Sequence, residues 1–248
     1  MCKTAFTTGD PISPKTARFR RRARIPMSET EYIFTEKQLE RLRRASDITE
    51  IQMLMARYVD CMSKMHAKDA WALFAQENED VSIELAESGG YDGPQHVLQF
   101  LEAYDEYLHD PSDKRGWMEL QNICNPTVIV SDDHTRAMGY WTILAPSSKW
   151  ALPYPCDQEK LTALWGCGKY IVEFVREEET WKILRLKLVW FLRSPFEFGW
   201  MKQADCVHMP PFQGLKPDRE PEYYNIYNAD YGCASGGIEW GPYLPKSL

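Results

Sequence analysis

The chain has 248 residues, 44% of them apolar, with 29 Lys and Arg against 36 Asp and Glu for a net charge of -7. That length and apolar share suffice for one full core with extensions, and no run nears the roughly 20 apolar residues of a membrane helix. An acidic chain is a poor nucleic-acid binder, and seven scattered cysteines without a CxxC pair speak against a disulfide framework or zinc site and for a reducing cytoplasm.

The five histidines show no HxH or HExxH spacing, so no metal is expected. Residues 1–26 carry seven Lys and Arg against one Asp and have almost no apolar periodicity. They read as part of a flexible basic leader, placed at 1–32, with Met27 as an alternative start and an Arg-rich transit peptide as the competing reading.

Thr35 to Ser46 has a cap-like Thr35 and Leu39 and Leu42 three apart, which predicts a short amphipathic helix. Asp47 and Glu50 then have capping-box spacing and are expected to start a second, central helix running through Ile51 to Phe74. Ile51, Leu54, Met55, Tyr58, Val59 and Met62 form its apolar stripe. Tyr58, Met62 and His66 continue one row at i, i+4, i+8, so a phenol and an imidazole face one cavity if the helix runs that far.

A further short helix is expected over Lys68 to Gln76, after which the period changes to two. Val81, Ile83 and Leu85 alternate with Ser82, Glu84 and Ala86, and a turn follows at Ser88 to Gly93. Pro94 suits the first turn of a helix running to His109. Strands are expected at Trp117 to Val130, Arg136 to Ala145, Thr162 to Arg176 and Thr180 to Leu192, with residues 147–160 a long insertion. Helices first and long antiparallel-looking strands after them predict an α+β fold, its helices covering one face of a strongly curved sheet that forms a cone around a pocket. Residues 194–248 are rich in proline and aromatic side chains and read as an ordered arm over the domain or a neighbouring subunit.

Several local patterns resemble one family. They are Ala56-Arg-Tyr-Val-Asp60, Lys68-Asp-Ala-Trp71, Asp80-Val-Ser-Ile-Glu84, Gly90-Tyr-Asp-Gly93, Asn125-Pro-Thr-Val-Ile-Val130, Gly168-Lys-Tyr170 and Thr180-Trp-Lys-Ile183. In this order and spacing the chain resembles the SnoaL-like branch of the NTF2-like superfamily over about residues 45–193, within a domain placed at 33–193. The resemblance implies a conical α+β barrel, a shell that serves dehydratases, isomerases, cyclases and non-catalytic binding proteins.

In the scytalone dehydratase and bile-acid 7α-dehydratase branch, the resemblance implies a Tyr on the first long helix, here Tyr58. An acidic residue before the turn that closes the helix is matched by His66, with Ser63 as the alternative. A His on the strand before the asparagine-proline pattern is replaced by Gln121, and an Asp on the next strand falls near Ala145. The carboxylate and imidazole of those enzymes are therefore not both present.

Elimination of water or isomerisation of an enone needs a base beside an acidic C–H and a donor for the developing oxyanion or leaving hydroxyl. The expected roles are His66 as base, Tyr58 as acid and Gln121 in orienting the substrate, without a cofactor. Counting from the family puts Trp141 inward, and Trp165, Tyr170 and Trp190 lie on neighbouring strands as candidate walls for a cyclic or polycyclic ligand. Glu84 points either into the pocket as another base or outward into solvent. A small-molecule substrate and a homodimer or homotrimer through the sheet are expected, with no nucleic-acid or membrane partner. The alternative is a binding or assembly module without catalysis.

Overall fold

The computed structural model describes residues 34–64, 66–85, 88–109, 118–149, 162–197, 199–202, 215–220, 227–228 and 232–233. The chain divides into one unit up to Thr35 and another from Glu36 onward, which holds every element named below. It opens with helix α1 (Glu36–Ser63), followed by a 3-10 turn (Ala67–Leu73), strands β1 (Ser82–Leu85) and β2 (Gly90–Asp92), and helix α2 (Pro94–His109). Strands β3 (Met118–Glu119), β4 (Asn122–Val130), β5 (Arg136–Leu144), β6 (Ser147–Lys149), β7 (Thr162–Glu177) and β8 (Thr180–Pro195) come next. The short elements α3 (Gly199–Lys202), β9 (Tyr227–Asn228) and β10 (Gly232–Cys233) close the order.

α1 corrects two expectations. The two predicted helices are one, and it stops at Ser63 rather than running on to Phe74. Asp47 lies mid-helix because its carboxylate is engaged elsewhere: it accepts from Trp181 Nε1 at 3.1 Å and from Arg176, and meets His134 Nδ1 at 2.5 Å. Three tertiary partners outweigh the local preference of an Asp to cap its own helix. Past Ser63 the chain leaves the helix in a wider turn, with the His66 N–H donating to the Cys61 carbonyl at 2.9 Å.

The main sheet runs β2-β1-β8-β7-β5-β4, with β6 pairing β7 and β3. β1 and β8 are parallel and the other pairs in this sheet antiparallel. Register shifts between Cys124 and Thr127, Cys167 and Gly168, and Glu173 and Phe174 mark bulges, which bend strands and sharpen their twist. The first falls on the asparagine-proline pair, where Asn125 has φ 50° and Pro126 has no N–H to give the ladder.

One face of the sheet packs against the helices. Ile83 and Leu85 from β1, Trp141 and Ile143 from β5, Tyr170, Val172 and Phe174 from β7, and Ile183, Leu186, Leu188 and Trp190 from β8 join the buried stripe of α1 in one core. Two close approaches need glycine. A Cβ on Gly139 would sit 2.4 Å from the Trp141 ring, and one on Gly168 would sit 2.3 Å from the Val189 carbonyl oxygen. Helices packed on one face of a strongly curled mixed sheet make this an NTF2-like α+β fold.

The strand expected over Trp117 to Val130 is two, β3 and β4, separated at Leu120 and Gln121. The expected insertion begins with β6, while 150–161 and most of the aromatic arm lie outside the described residues.

Candidate functional site

Tyr58 reaches the interior from the buried stripe of α1 and is fully buried. Its ring stands edge-on to Phe74 at 6.1 Å and to Tyr170 at 5.9 Å. Among the described residues its hydroxyl has no aligned hydrogen-bond partner. Burial pushes the phenol well above its ordinary value, with the neighbouring Tyr170 hydroxyl opposing that rise. Tyr58 is therefore a protonated donor over the whole neutral range.

Tyr170 comes from the facing strand β7, directly across from Trp141 on β5 and Leu188 on β8. Its hydroxyl donates to Gln121 Oε1 at 2.6 Å. The Gln121 N–H in turn donates to Ser63 Oγ at 3.1 Å, tying the segment before β4 to the end of α1. Helix and sheet are thus joined at this level by one polar chain.

Three further polar side chains, not singled out by the sequence, share this interior. Tyr104 on α2, Glu119 on β3 and Arg193 on β8 are all buried. Burial raises the Tyr104 phenol most, the Glu119 carboxylate adds to the rise, and the Arg193 guanidinium opposes it. Tyr170 is raised by burial and then by Tyr58, Tyr104 and Glu119. These mutual influences put two opposite charges and three phenols within electrostatic reach of one another. Arg193 also lies over the Trp190 ring, 5.2 Å from its centroid.

The expected site residues divide. Tyr58, Gln121 and Tyr170 come together with Trp141 across from Tyr170, and Trp190 opposes Gly168, two residues before Tyr170 on β7. Trp165 is only half-buried and sits 6.3 Å from the exposed Phe196. His66 is exposed in the turn beyond α1, so the helical row that would have stacked it over Met62 and Tyr58 does not exist.

Glu84 points away from the site. Ile83 and Leu85 take the core side of β1, and Glu84 turns to the opposite face, where it pairs with Arg219 and lies 3.8 Å from Lys187. The segment 215–220 holds this pairing in place. The Gly90 N–H donates to the Arg219 carbonyl at 3.0 Å, and the Asp92 N–H donates to Asp218 Oδ2 at 2.8 Å. Ser82, Asp92, Glu173, Arg185, Lys187 and Arg219 help to line a cavity of about 350 Å³ on that outer face.

A second buried polar cluster lies at the β4–β5 hairpin. His134, with φ 59°, is held between Asp47 and Glu40, whose Oε2 is 3.0 Å from Nε2. Arg176, paired with Asp47, covers the Trp181 ring at 4.8 Å. This accounts for His134 as a structural tie between α1 and the hairpin. Among the described residues no group of three or more His, Cys, Asp or Glu could hold a metal ion.

The family model described as a SnoaL-like domain matches residues 43–187, more than half of the chain. The chain belongs to the SnoaL-like family. No curated protein matches it. Among solved structures, this SnoaL-like chain is similar to a putative scytalone dehydratase from Novosphingobium aromaticivorans DSM 12444, at 18% identity over 71% of this chain and 95% of that one, with a TM-score of 0.47. It is also similar to a hexachlorocyclohexane dehydrochlorinase of type 3 from Novosphingobium barchaimii LL02, at 16% identity over 70% and 99%, with a TM-score of 0.43. The family assignment rests on the match over 43–187. SnoaL-like domains are small-molecule-handling folds, and none of the described helices is long and apolar enough to cross a membrane.

Proposed function

We propose that this SnoaL-like domain carries out cofactor-independent dehydration or isomerisation of a cyclic or polycyclic small molecule, with Tyr58 as the proton donor. The observation that supports it is the Tyr58 hydroxyl, wholly buried and without an aligned partner, beside the Tyr170–Gln121 hydrogen bond. A buried donor left unbonded costs about 1–3 kcal/mol, and a ligand oxygen bound beside it would offset that cost.

The chemistry asks little of the donor beyond position. A phenol that stays neutral gives its proton to a leaving hydroxyl, or hydrogen-bonds an oxyanion as an enolate forms. Tyr170 and Gln121 fix the geometry around it, and Trp141 and Trp190 offer flat walls to a ring system.

The test is ligand-induced thermal stabilisation against steroids, bile acids, polyketides and plant phenolics, followed by product analysis for wild type and Tyr58→Phe. A ligand at a hundredfold excess over its dissociation constant stabilises by about 2.7 kcal/mol, which such a scan resolves. Turnover by wild type with binding alone by Tyr58→Phe is the expected result. A second reading, a binding module without catalysis, is favoured by the exposure of His66. It predicts equal binding and no product from either protein.

A further inference from the structure

The expected base, His66, is exposed in the turn beyond α1, and the interior contains another candidate. Around β3 the burial alternates: Met118 exposed, Glu119 buried, Leu120 exposed, Gln121 buried. In an extended chain that alternation sends the side chains of Glu119 and Gln121 to the same side, two residues apart along the backbone. Gln121 is the amide that accepts from Tyr170. Glu119 is therefore delivered into the same interior as the three phenols, and it is 5% exposed.

Two features hold the carboxylate there. β3 pairs with β6, with Glu119 opposite the buried Ser147, and the Leu120 N–H donates to the Pro146 carbonyl at 3.3 Å. The raised phenols of Tyr104 and Tyr170 report the same proximity, since both feel the Glu119 charge.

We propose that Glu119 is the general base of this site, abstracting a proton from a carbon next to the carbonyl or imine-like group of a flat cyclic substrate. The inference rests on the elimination-or-isomerisation reading above. The C–H bond breaks and its proton goes to a Glu119 oxygen, while its electron pair forms the new carbon–carbon double bond or the enolate. In dehydration the departing hydroxyl leaves with the Tyr58 proton as water. In isomerisation the proton on Glu119 returns to another carbon, and Tyr58 holds the enolate oxygen throughout. The substrate class that follows is an enolisable cyclic ketone or enone, or its β-hydroxy derivative.

A probe with one acidic C–H tests the base without the natural substrate. With 5-nitrobenzisoxazole, loss of the ring proton to a carboxylate forms a nitrile as the N–O bond breaks, and the coloured cyanonitrophenolate oxygen leaves towards a donor. Wild type is expected to turn it over. Glu119→Gln is expected to lose about 100-fold or more. Glu119→Asp, which keeps a carboxylate one methylene short, is expected to retain turnover at a lower rate and serves if the amide variant does not fold.

Turnover kept in Glu119→Gln overturns the assignment, as does a wild-type protein that leaves the probe untouched at every pH. Turnover lost in His66→Ala but kept in Glu119→Gln would instead give the base to the exposed imidazole. Loss in Tyr58→Phe alone would leave the donor reading standing and remove only Glu119. A wild type inert towards both the probe and the whole ligand panel would remove both.

Discussion

Two tyrosines in edge-on contact make opposite predictions. Tyr58 has a buried hydroxyl with no aligned partner, whereas the hydroxyl of Tyr170 is bonded to Gln121. Tyr58→Phe removes a hydroxyl that has no aligned partner, so stability should stay within about 0.5 kcal/mol or rise, even as turnover falls. Tyr170→Phe strips the buried Gln121 carbonyl of its donor and should cost about 1–3 kcal/mol. Urea unfolding midpoints of the two variants check this, and equal losses would mean that Tyr58 has a hydrogen bond of its own. The site was partly legible at this scale. Tyr58 could be read from the helical stripe, but Glu119 could not, because a two-residue strand offers too short a period to show which way it faces.

At the scale of elements, α1 is continuous because Asp47 belongs to a tertiary cluster and not to a cap. Asp47→Ala would strand the buried His134 and the Arg176 guanidinium, and should destabilise by about 3–5 kcal/mol in denaturant unfolding. A loss of only about 1 kcal/mol, the size of a cap, would restore the two-helix reading. The same cluster shows why the helix break was misread. The capping spacing of Asp47 and Glu50 is a local signal, and its competing partners, Trp181, Arg176 and His134, lie some 90 to 130 residues away in sequence.

The bulges hid faces in the same way. β8 skips a residue against β7 between Trp190 and Leu192, so Arg193 turns inward where strict alternation from Trp190 would send it outward. The outer-face pair of Glu84 with Arg219 depends on a segment more than 100 residues later, which no reading of β1 alone reveals. Arg219→Ala removes one of the cations beside that buried carboxylate. It should cost less than the roughly 3–5 kcal/mol of a fully buried pair, because Arg219 is itself about one-third exposed. Unfolding midpoints for this variant and for Glu84→Gln would measure it.

Across the whole molecule, the interior phenols set a limit at high pH. Tyr58, Tyr104 and Tyr170 are raised by burial, and Tyr91 is pushed up by burial to about 12. A phenol whose folded value lies above its unfolded value of about 10 gives its full stabilisation below that pH. The stabilisation is lost as pH rises from there through the folded values. Stability should therefore fall steeply above about pH 10, with the buried tyrosines ionising together with unfolding. A parallel spectroscopic titration of phenolate and of helix content checks this, and phenolate appearing well before helix loss would contradict it.

The fold itself was readable because it depends on extended patterns: the apolar stripe of α1, Pro94 opening α2, period-two alternation through β1, and the long strand candidates that form β5, β7 and β8. The polar interior depends on single side chains brought together from five elements, and one sequence carries no record of that convergence. The expected homo-oligomer through the sheet remains our proposal, to be tested by the sedimentation mass of the full chain.

The measurement that bears most directly on the central claim is product mass and ultraviolet spectrum after incubating wild type and Tyr58→Phe with the most stabilising ligand. Wild type should yield a product lighter by one water, or an isomer of unchanged mass and shifted spectrum, while Tyr58→Phe binds the ligand and returns it intact. Equal product from both proteins would contradict the donor role of Tyr58, and ligand returned unchanged by both would contradict catalysis at this site.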